Sequence, residues 1–117
     1  MPTIYQLNTC NTCQRIIAEL GEQADLEVVN IKEQALTPAQ LDRLAELAGS
    51  YEALFSRRAM KYRNMGLADR KLTEADYRNL ILQEYTFLKR PVTVVDDRIF
   101  VGSAKKTVAA AKAALNA

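Results

Sequence analysis

The first third of the chain contains two short apolar runs separated by a segment whose apolar residues recur at helical spacing. The apolar run at residues 3–7 predicts a buried strand, and residues 26–31 predict a second strand. Between them, residues 11–21 carry apolar side chains at helical spacing, and Gly21 is a natural helix stop. A strand, a helix and a strand in this order predict a βαβ unit with two parallel strands.

The middle of the chain has helical patterns with clear start and stop signals. Thr37 followed by Pro38 and Gln40 is typical of a capping box, and Gly49 ends the helix that it opens. Three further segments follow: a helical turn at 51–55, a charged stretch of mixed pattern at 57–67, and a helix that begins at 72–76 and continues to Glu84.

Two strands and a helix complete the chain. Residues 91–95 and 98–101 predict a hairpin that turns at Asp96-Asp97. After Gly102, a last helix places its apolar residues on one side: Val108, Ala111 and Leu115. The order βαβ, helical block, ββα predicts an α/β protein with a thioredoxin-like fold, a four-stranded mixed sheet with helices on both faces.

Length and composition favour one domain over residues 1–117, with the helical insertion at about 36–88. The formal charge of +2 gives no reason to expect a nucleic-acid or membrane partner. No apolar stretch approaches the roughly 20 residues that span a bilayer. The start of the chain lacks the basic and apolar regions of a signal peptide. We therefore expect a cytoplasmic monomer.

The chemistry of the chain is concentrated in a cysteine pair. Cys10 and Cys13 are the only cysteines, and there is no histidine. Both lie where the first strand gives way to the first helix, so backbone N–H groups of the first helical turn favour an anionic sulfur there. Four polar residues flank the pair: Asn8, Thr9, Asn11 and Thr12.

Three interpretations of the pair compete. Both thiols could be buried packing residues, although the polar flanks argue against a dry core. A zinc site needs four ligands, and two cysteines without histidine complete one only with carboxylates and across a dimer, so we expect no metal. A redox pair has a mechanism: Cys10 attacks an oxidised centre, and Cys13, one turn along the helix, resolves the adduct.

Arginines supply the remaining candidate chemistry. In a thioredoxin-like fold, a proline before the third strand is typically cis and lies beside the reactive cysteine, which is the position of Pro91. Arg90 would then reach the rim of the cysteine site and stabilise a thiolate, unless it is only a solvated charge. The basic stretch that includes Arg57 and Arg58 is mostly a solvated face, from which one or two side chains could point towards the sulfur.

Three separated motifs resemble the arsenate reductase family, which includes glutaredoxin-coupled arsenate reductases and the Spx redox regulators. The motifs are residues 7–13, residues 51–58 with Tyr62 and 65–67, and residues 89–92. The resemblance implies that Cys10 is the nucleophile and that Arg90 and Arg58 support it, with Arg57 as the alternative. It also implies no bound cofactor, and thioredoxin, glutaredoxin or glutathione as electron donor and partner.

The chain departs from the family pattern in ways that affect the substrate. Family arsenate reductases carry a third arginine after the last strand, where this chain has Gly102. The absence of this third arginine weakens the binding of a polyanion such as arsenate. Cys13 is absent from the glutaredoxin-coupled reductases but present in many Spx proteins. We therefore expect a thiol–disulfide oxidoreductase that reduces an oxidised thiol in preference to arsenate.

The alternative is an Spx-like redox-sensing regulator that binds the RNA polymerase alpha subunit. Gly49 matches a glycine of the Spx docking surface, but a glycine at the end of a helix also has the commoner role of a stop signal. A pull-down with the polymerase alpha C-terminal domain, in oxidised and reduced conditions, would distinguish the two functions.

Overall fold

The computed structural model describes residues 2–21 and 25–117. They form two compact units: residues up to Gln34 together with Arg90–Ala117, and Ala35–Lys89. The strands are β1 (Thr3–Gln6), β2 (Glu27–Asn30), β3 (Val92–Val95) and β4 (Arg98–Val101); the helices are α1 (Asn11–Leu20), α2 (Pro38–Ala48), α3 (Met60–Asn64), α4 (Glu74–Gln83) and α5 (Lys105–Leu115). The extent of a single domain over residues 1–117 stays a prediction.

The first unit contains a four-stranded sheet with the order β2-β1-β3-β4. Strand β1 pairs in parallel with β2 and antiparallel with β3, and β4 pairs antiparallel with β3. This arrangement confirms the predicted mixed sheet. Strand β1 ends at Gln6, one residue earlier than predicted, and strand β2 starts at Glu27, one residue later than predicted. Only the hydrogen-bonded part of each apolar run belongs to a strand.

The register places the cysteine loop beside the start of β3. Tyr5, near the end of β1, lies opposite Val92, the first residue of the antiparallel strand β3. The loop that leaves β1 and the Arg90-Pro91 segment that enters β3 therefore lie at the same edge of the sheet. Gly102 follows β4 at this edge as well, because Val101 pairs with Val92.

One apolar cluster holds this unit together. Ile4 of β1 packs with two residues of α1, Ile16 and Leu20, and two of α5, Val108 and Ala111. Both helices of the unit therefore cover the face of the sheet that carries Ile4. Burial of such side chains contributes about 1.5–3 kcal/mol each. Because α1 is packed on the sheet, the position of its first turn is fixed. The cysteine loop that leads into this turn is fixed with it.

The second unit is helical and carries the predicted caps. Thr37 and Gln40 form both hydrogen bonds of the capping box of α2, as predicted. Thr73 and Asp76 form the same arrangement at α4. The charged segment of mixed pattern contains the short helix α3. The core of the unit includes Phe55, whose ring stacks on Phe87 at a centroid distance of 5.0 Å. No helix among residues 2–21 and 25–117 is long and apolar enough to cross a membrane.

Candidate active site

Cys10 is the N-cap residue of α1. Its backbone is extended, and its Sγ atom accepts a hydrogen bond from the backbone N–H of Cys13 at 3.3 Å. Its own N–H donates to the carbonyl oxygen of Leu7 at 3.1 Å, which closes the loop between β1 and α1. The sulfur thus occupies the position that a serine or aspartate oxygen takes in an ordinary helix cap. Negative charge on the sulfur is favoured there by the helix N-terminus.

The surroundings of Cys10 favour its thiolate. Partial burial pushes the pKa of Cys10 upward, but hydrogen bonds from the side chain and backbone of Cys13, the positive charge of Arg90 and a backbone hydrogen bond from Thr12 outweigh it, so the pKa is lowered. Cys10 is partly exposed. A thiolate that is accessible at neutral pH is the reactive form of a cysteine.

Cys13 has the opposite properties. It is fully buried, and burial together with the hydrogen bond and charge of Cys10 raises its pKa to about 11, against the backbone of Leu7 and Arg90, which lower it. The argument from the polar flanks against a dry core therefore applies to Cys10 but not to Cys13, which is buried. Folding therefore favours the thiolate form of Cys10 and the protonated thiol form of Cys13.

Arg90 and Pro91 lie at the same edge of the sheet. The positive charge of Arg90 lowers the pKa of both cysteines. The Arg90-Pro91 peptide bond is cis, and Pro91 is buried. The carbonyl oxygen of Pro91 accepts a hydrogen bond from the N–H of Gly102 at 2.9 Å.

The four polar flanking residues are exposed. Asn8 and Thr9 form the turn before Cys10, and Asn11 and Thr12 are the first two residues of α1. Asn8 is tied to the strand through a hydrogen bond from Gln6 at 3.0 Å. Thr12 contributes its backbone to Cys10. Whether any of them binds a substrate stays a prediction.

Two glutamines that hydrogen-bond to each other next to the loop, Gln6 and Gln14, were not identified from the sequence. Gln6 is only 1% exposed although it lies in an apolar strand. The side-chain amide of Gln14 donates to Gln6 Oε1 at 3.0 Å and to the carbonyl oxygen of Leu7 at 3.1 Å. A glutamine at an inward position of a predicted buried strand was the available signal, because an amide is buried at low cost only when it is hydrogen-bonded.

Arg57 and Arg58 belong to the second unit. The Arg57 guanidinium pairs with Glu52 at 2.7 Å and contacts the hydroxyl oxygen of Tyr77 at 3.0 Å. Arg58 and Arg57 line a cavity of about 280 Å³ with Tyr62 and Arg63. Among the described residues, no carboxylate forms an ion pair with Arg58. The roles of Arg57 and Arg58 towards the cysteines stay predictions.

Gly49 and Gly102, the two glycines that were compared with positions of the family, have backbone conformations with positive φ. Gly49 has φ of 98° and ends α2, and its N–H donates to the carbonyl oxygen of Ala45. Gly102 has φ of 94° directly after β4. Both positions favour glycine for conformational reasons alone. In the described part of the chain, no group of three or more potential ligand side chains could hold a metal ion.

The chain belongs to the ArsC family, whose model matches residues 5–111. This match confirms the family predicted from the three motifs, and together with the sheet topology it confirms the fold predicted from the order of strands and helices. Membership supports the thiol-dependent redox chemistry of that class. No curated protein sequence matches the chain.

Solved structures agree with the fold. An arsenate reductase from Vibrio cholerae superposes with a TM-score of 0.80 at 20% identity, covering 93% of this chain and 95% of that one. An arsenate reductase (ArsC) related protein from Brucella melitensis superposes with a TM-score of 0.71 at 25% identity, covering 93% of this chain and 92% of that one. The likeness to the Vibrio protein concerns the fold alone.

Proposed function

We propose that the chain is a thiol–disulfide oxidoreductase in which Cys10 is the nucleophile and Cys13 the resolving thiol. The observation that carries the proposal is the difference between the two sulfurs. Cys10 is partly exposed, accepts the Cys13 N–H and has a lowered pKa, whereas Cys13 is buried and has a raised pKa. Only Cys10 combines access with thiolate character, so the first attack falls to it.

The reaction proceeds by two exchanges. The Cys10 thiolate attacks one sulfur of a disulfide R–S–S–R′, a Cys10–S–S–R bond forms, and R′S⁻ leaves with the electron pair of the broken bond. Cys13 then releases its proton to water and attacks Cys10 Sγ, so that RS⁻ leaves and a Cys10–Cys13 disulfide remains. The substrate has gained two electrons and the protein has lost two.

The first exchange also activates Cys13. Part of the increase in the pKa of Cys13 comes from the hydrogen bond and negative charge of Cys10. Both disappear when Cys10 enters the mixed disulfide, so the Cys13 pKa falls at the stage when its thiolate is needed. A thioredoxin, a glutaredoxin or glutathione, which are the thiol reductants of such enzymes, would return the pair to the dithiol form.

Arg90 is the cation that supports Cys10 in this proposal, and the family resemblance assigns a second supporting role to Arg58. The contacts of Arg57 favour Arg58 over it, since Glu52 and Tyr77 already engage the Arg57 guanidinium. Comparing Arg58→Gln with Arg57→Gln for the rate of disulfide reduction separates them. We expect the larger loss with Arg58→Gln; equal rates in both variants would remove this part of the proposal.

Mass spectrometry of a single turnover with hydroxyethyl disulfide tests the whole proposal. The wild type should lose two hydrogens as the internal disulfide, and Cys13→Ser should accumulate a mixed disulfide at Cys10. Cys10→Ser is the matched variant and should remain unmodified on the same timescale. A Cys10→Ser protein that reacts as fast as the wild type would overturn the proposal. A parallel reaction with arsenate, followed by the release of arsenite, tests whether arsenate is also a substrate.

A further inference from the structure

We infer that Gln14 and Gln6 are positioning residues for Cys10: their side-chain amides hold the loop between β1 and α1 so that the Cys10 sulfur stays on the Cys13 N–H. The inference rests on the proposed function, since it assigns these residues a role towards the Cys10 nucleophile. Neither glutamine contacts the reacting sulfur in the hydrogen bonds described above.

Gln6 occupies a position where the packing would favour an apolar residue. It lies on the same face of β1 as Ile4, which belongs to the apolar cluster under α1 and α5. Its side chain is nonetheless satisfied at both ends, since Oε1 accepts from Gln14 and Nε2 donates to Asn8 Oδ1. A buried amide whose oxygen and nitrogen are both hydrogen-bonded fixes its neighbours, because each broken bond would leave a buried polar atom without a partner.

Gln14 connects the first turn of α1 with the loop. Its Nε2 atom donates at 3.0 Å to Gln6 and at 3.1 Å to the carbonyl oxygen of Leu7, the same oxygen that accepts the N–H of Cys10. Its backbone N–H donates to the carbonyl oxygen of Cys10 at 3.0 Å. The loop residues on both sides of the turn, Leu7 and Cys10, are therefore tied to one helical residue.

The consequence for the site is geometric. The Cys10 sulfur gains its lowered pKa partly from hydrogen bonds that require it to sit at the N-cap position. A loop with fewer anchors samples positions away from the Cys13 N–H, and the thiolate loses stabilisation in those positions. The glutamines thus act through the position of Cys10 rather than through their own charge, since both are neutral.

The test measures the rate of iodoacetamide alkylation of Cys10 against pH in Gln14→Met, in Gln6→Met and in the double variant. Methionine has a similar length but no donor. Replacing both glutamines also removes the buried amide of Gln6, so that this amide is not left without its Gln14 partner. Gln83→Met, an exposed glutamine at the end of α4, is the matched control.

We expect the alkylation midpoint to move to higher pH in Gln14→Met and to stay there in the double variant. The rate at pH 7 should fall about threefold to tenfold, because one pKa unit is a tenfold change in thiolate fraction. A wild-type midpoint in the double variant, or midpoints that follow the denaturation temperature of each variant, would overturn the inference. If the wild-type Cys10 itself titrates like a free thiol, the proposed function fails first.

Discussion

The backbone N–H of Cys13 donates to Cys10 Sγ at 3.3 Å, so the two cysteines are linked by a hydrogen bond before any oxidation. The bond makes the pair asymmetric, because it stabilises charge on Cys10 and places the Cys13 side chain in the buried third position of α1. Burial, together with the hydrogen bond and charge of Cys10, raises the pKa of Cys13, whereas the cap hydrogen bonds and the charge of Arg90 lower the pKa of Cys10 against the effect of its partial burial.

Removing the charge of Arg90 should raise the Cys10 pKa. In Arg90→Gln we expect the alkylation rate at pH 7 to fall about two- to fivefold, as the guanidinium no longer favours the thiolate. Arg98→Gln is the matched control, since Arg98 starts β4 at the opposite end of the sheet. Equal alkylation profiles in the two variants would show that the helix N-terminus alone activates Cys10.

Cys13 should make folding less favourable in alkaline solution. Its pKa is about 11 in the folded protein and about 8.5 in an unfolded chain, so the protonated thiol stabilises the fold fully below about pH 8.5. This contribution, on the order of 3 kcal/mol, is lost as the pH rises towards the folded pKa.

Urea unfolding of reduced wild type and Cys13→Ala between pH 7.5 and 10.5 measures this effect as the difference in free energy of unfolding. The wild type should lose its advantage over Cys13→Ala as the pH rises, while the titration of lysines and tyrosines cancels in the comparison. A difference that is constant over the whole range would show that the Cys13 pKa is not raised by folding.

Introducing the third arginine of the arsenate reductases at Gly102 should cost stability. The backbone there has φ of 94°, although a Cβ atom would meet nothing within 4 Å. Gly102→Arg and Gly102→Ala should therefore destabilise the protein by a similar amount, about 1 kcal/mol or more, through the backbone conformation. Thermal denaturation of both variants beside Ser103→Arg gives the measurement; an undisturbed melting temperature in Gly102→Ala would contradict the conformational explanation.

The second unit should lose stability in acid through Asp42. Hydrogen bonds from Arg78 and then from Tyr51 hold the pKa of this carboxyl below its usual range. A lowered folded pKa contributes stability above the unfolded value of about 3.9, which is lost as the pH falls through the folded pKa. Asp42→Asn should be less stable than wild type at pH 7 and show a weaker loss between pH 4 and 2, with Asp97→Asn as the control at an exposed turn. Parallel acid profiles for wild type and Asp42→Asn would exclude this role.

The parts of the fold that were predictable depend on local signals. The capping box at Thr37, the stop at Gly21 and the turn at Asp96-Asp97 act within a few residues, and the structure confirms each of them. The short helix α3 has a weak local pattern in a charged segment, and the sequence did not distinguish it from a loop.

The site was predictable in its residue types but not in its contacts. The position of Cys10 at the start of a helix follows from the strand-to-helix boundary, so its thiolate character could be anticipated. The burial of Cys13 and the link from Gln14 to Gln6 depend on side chains that meet across the β1–α1 loop. Such contacts follow from the packing of the helix on the sheet, which periodicity along one chain does not determine.

The large difference between the two sulfurs gives the protein a single addressable position. A maleimide dye or spin label at neutral pH should attach to Cys10, because Cys13 is buried and protonated. The native chain therefore offers site-specific conjugation without removal of a second cysteine. For the same reason, the fluorescence of such a dye or the mobility of such a spin label should report whether a partner is bound at the edge of the sheet beside Arg90.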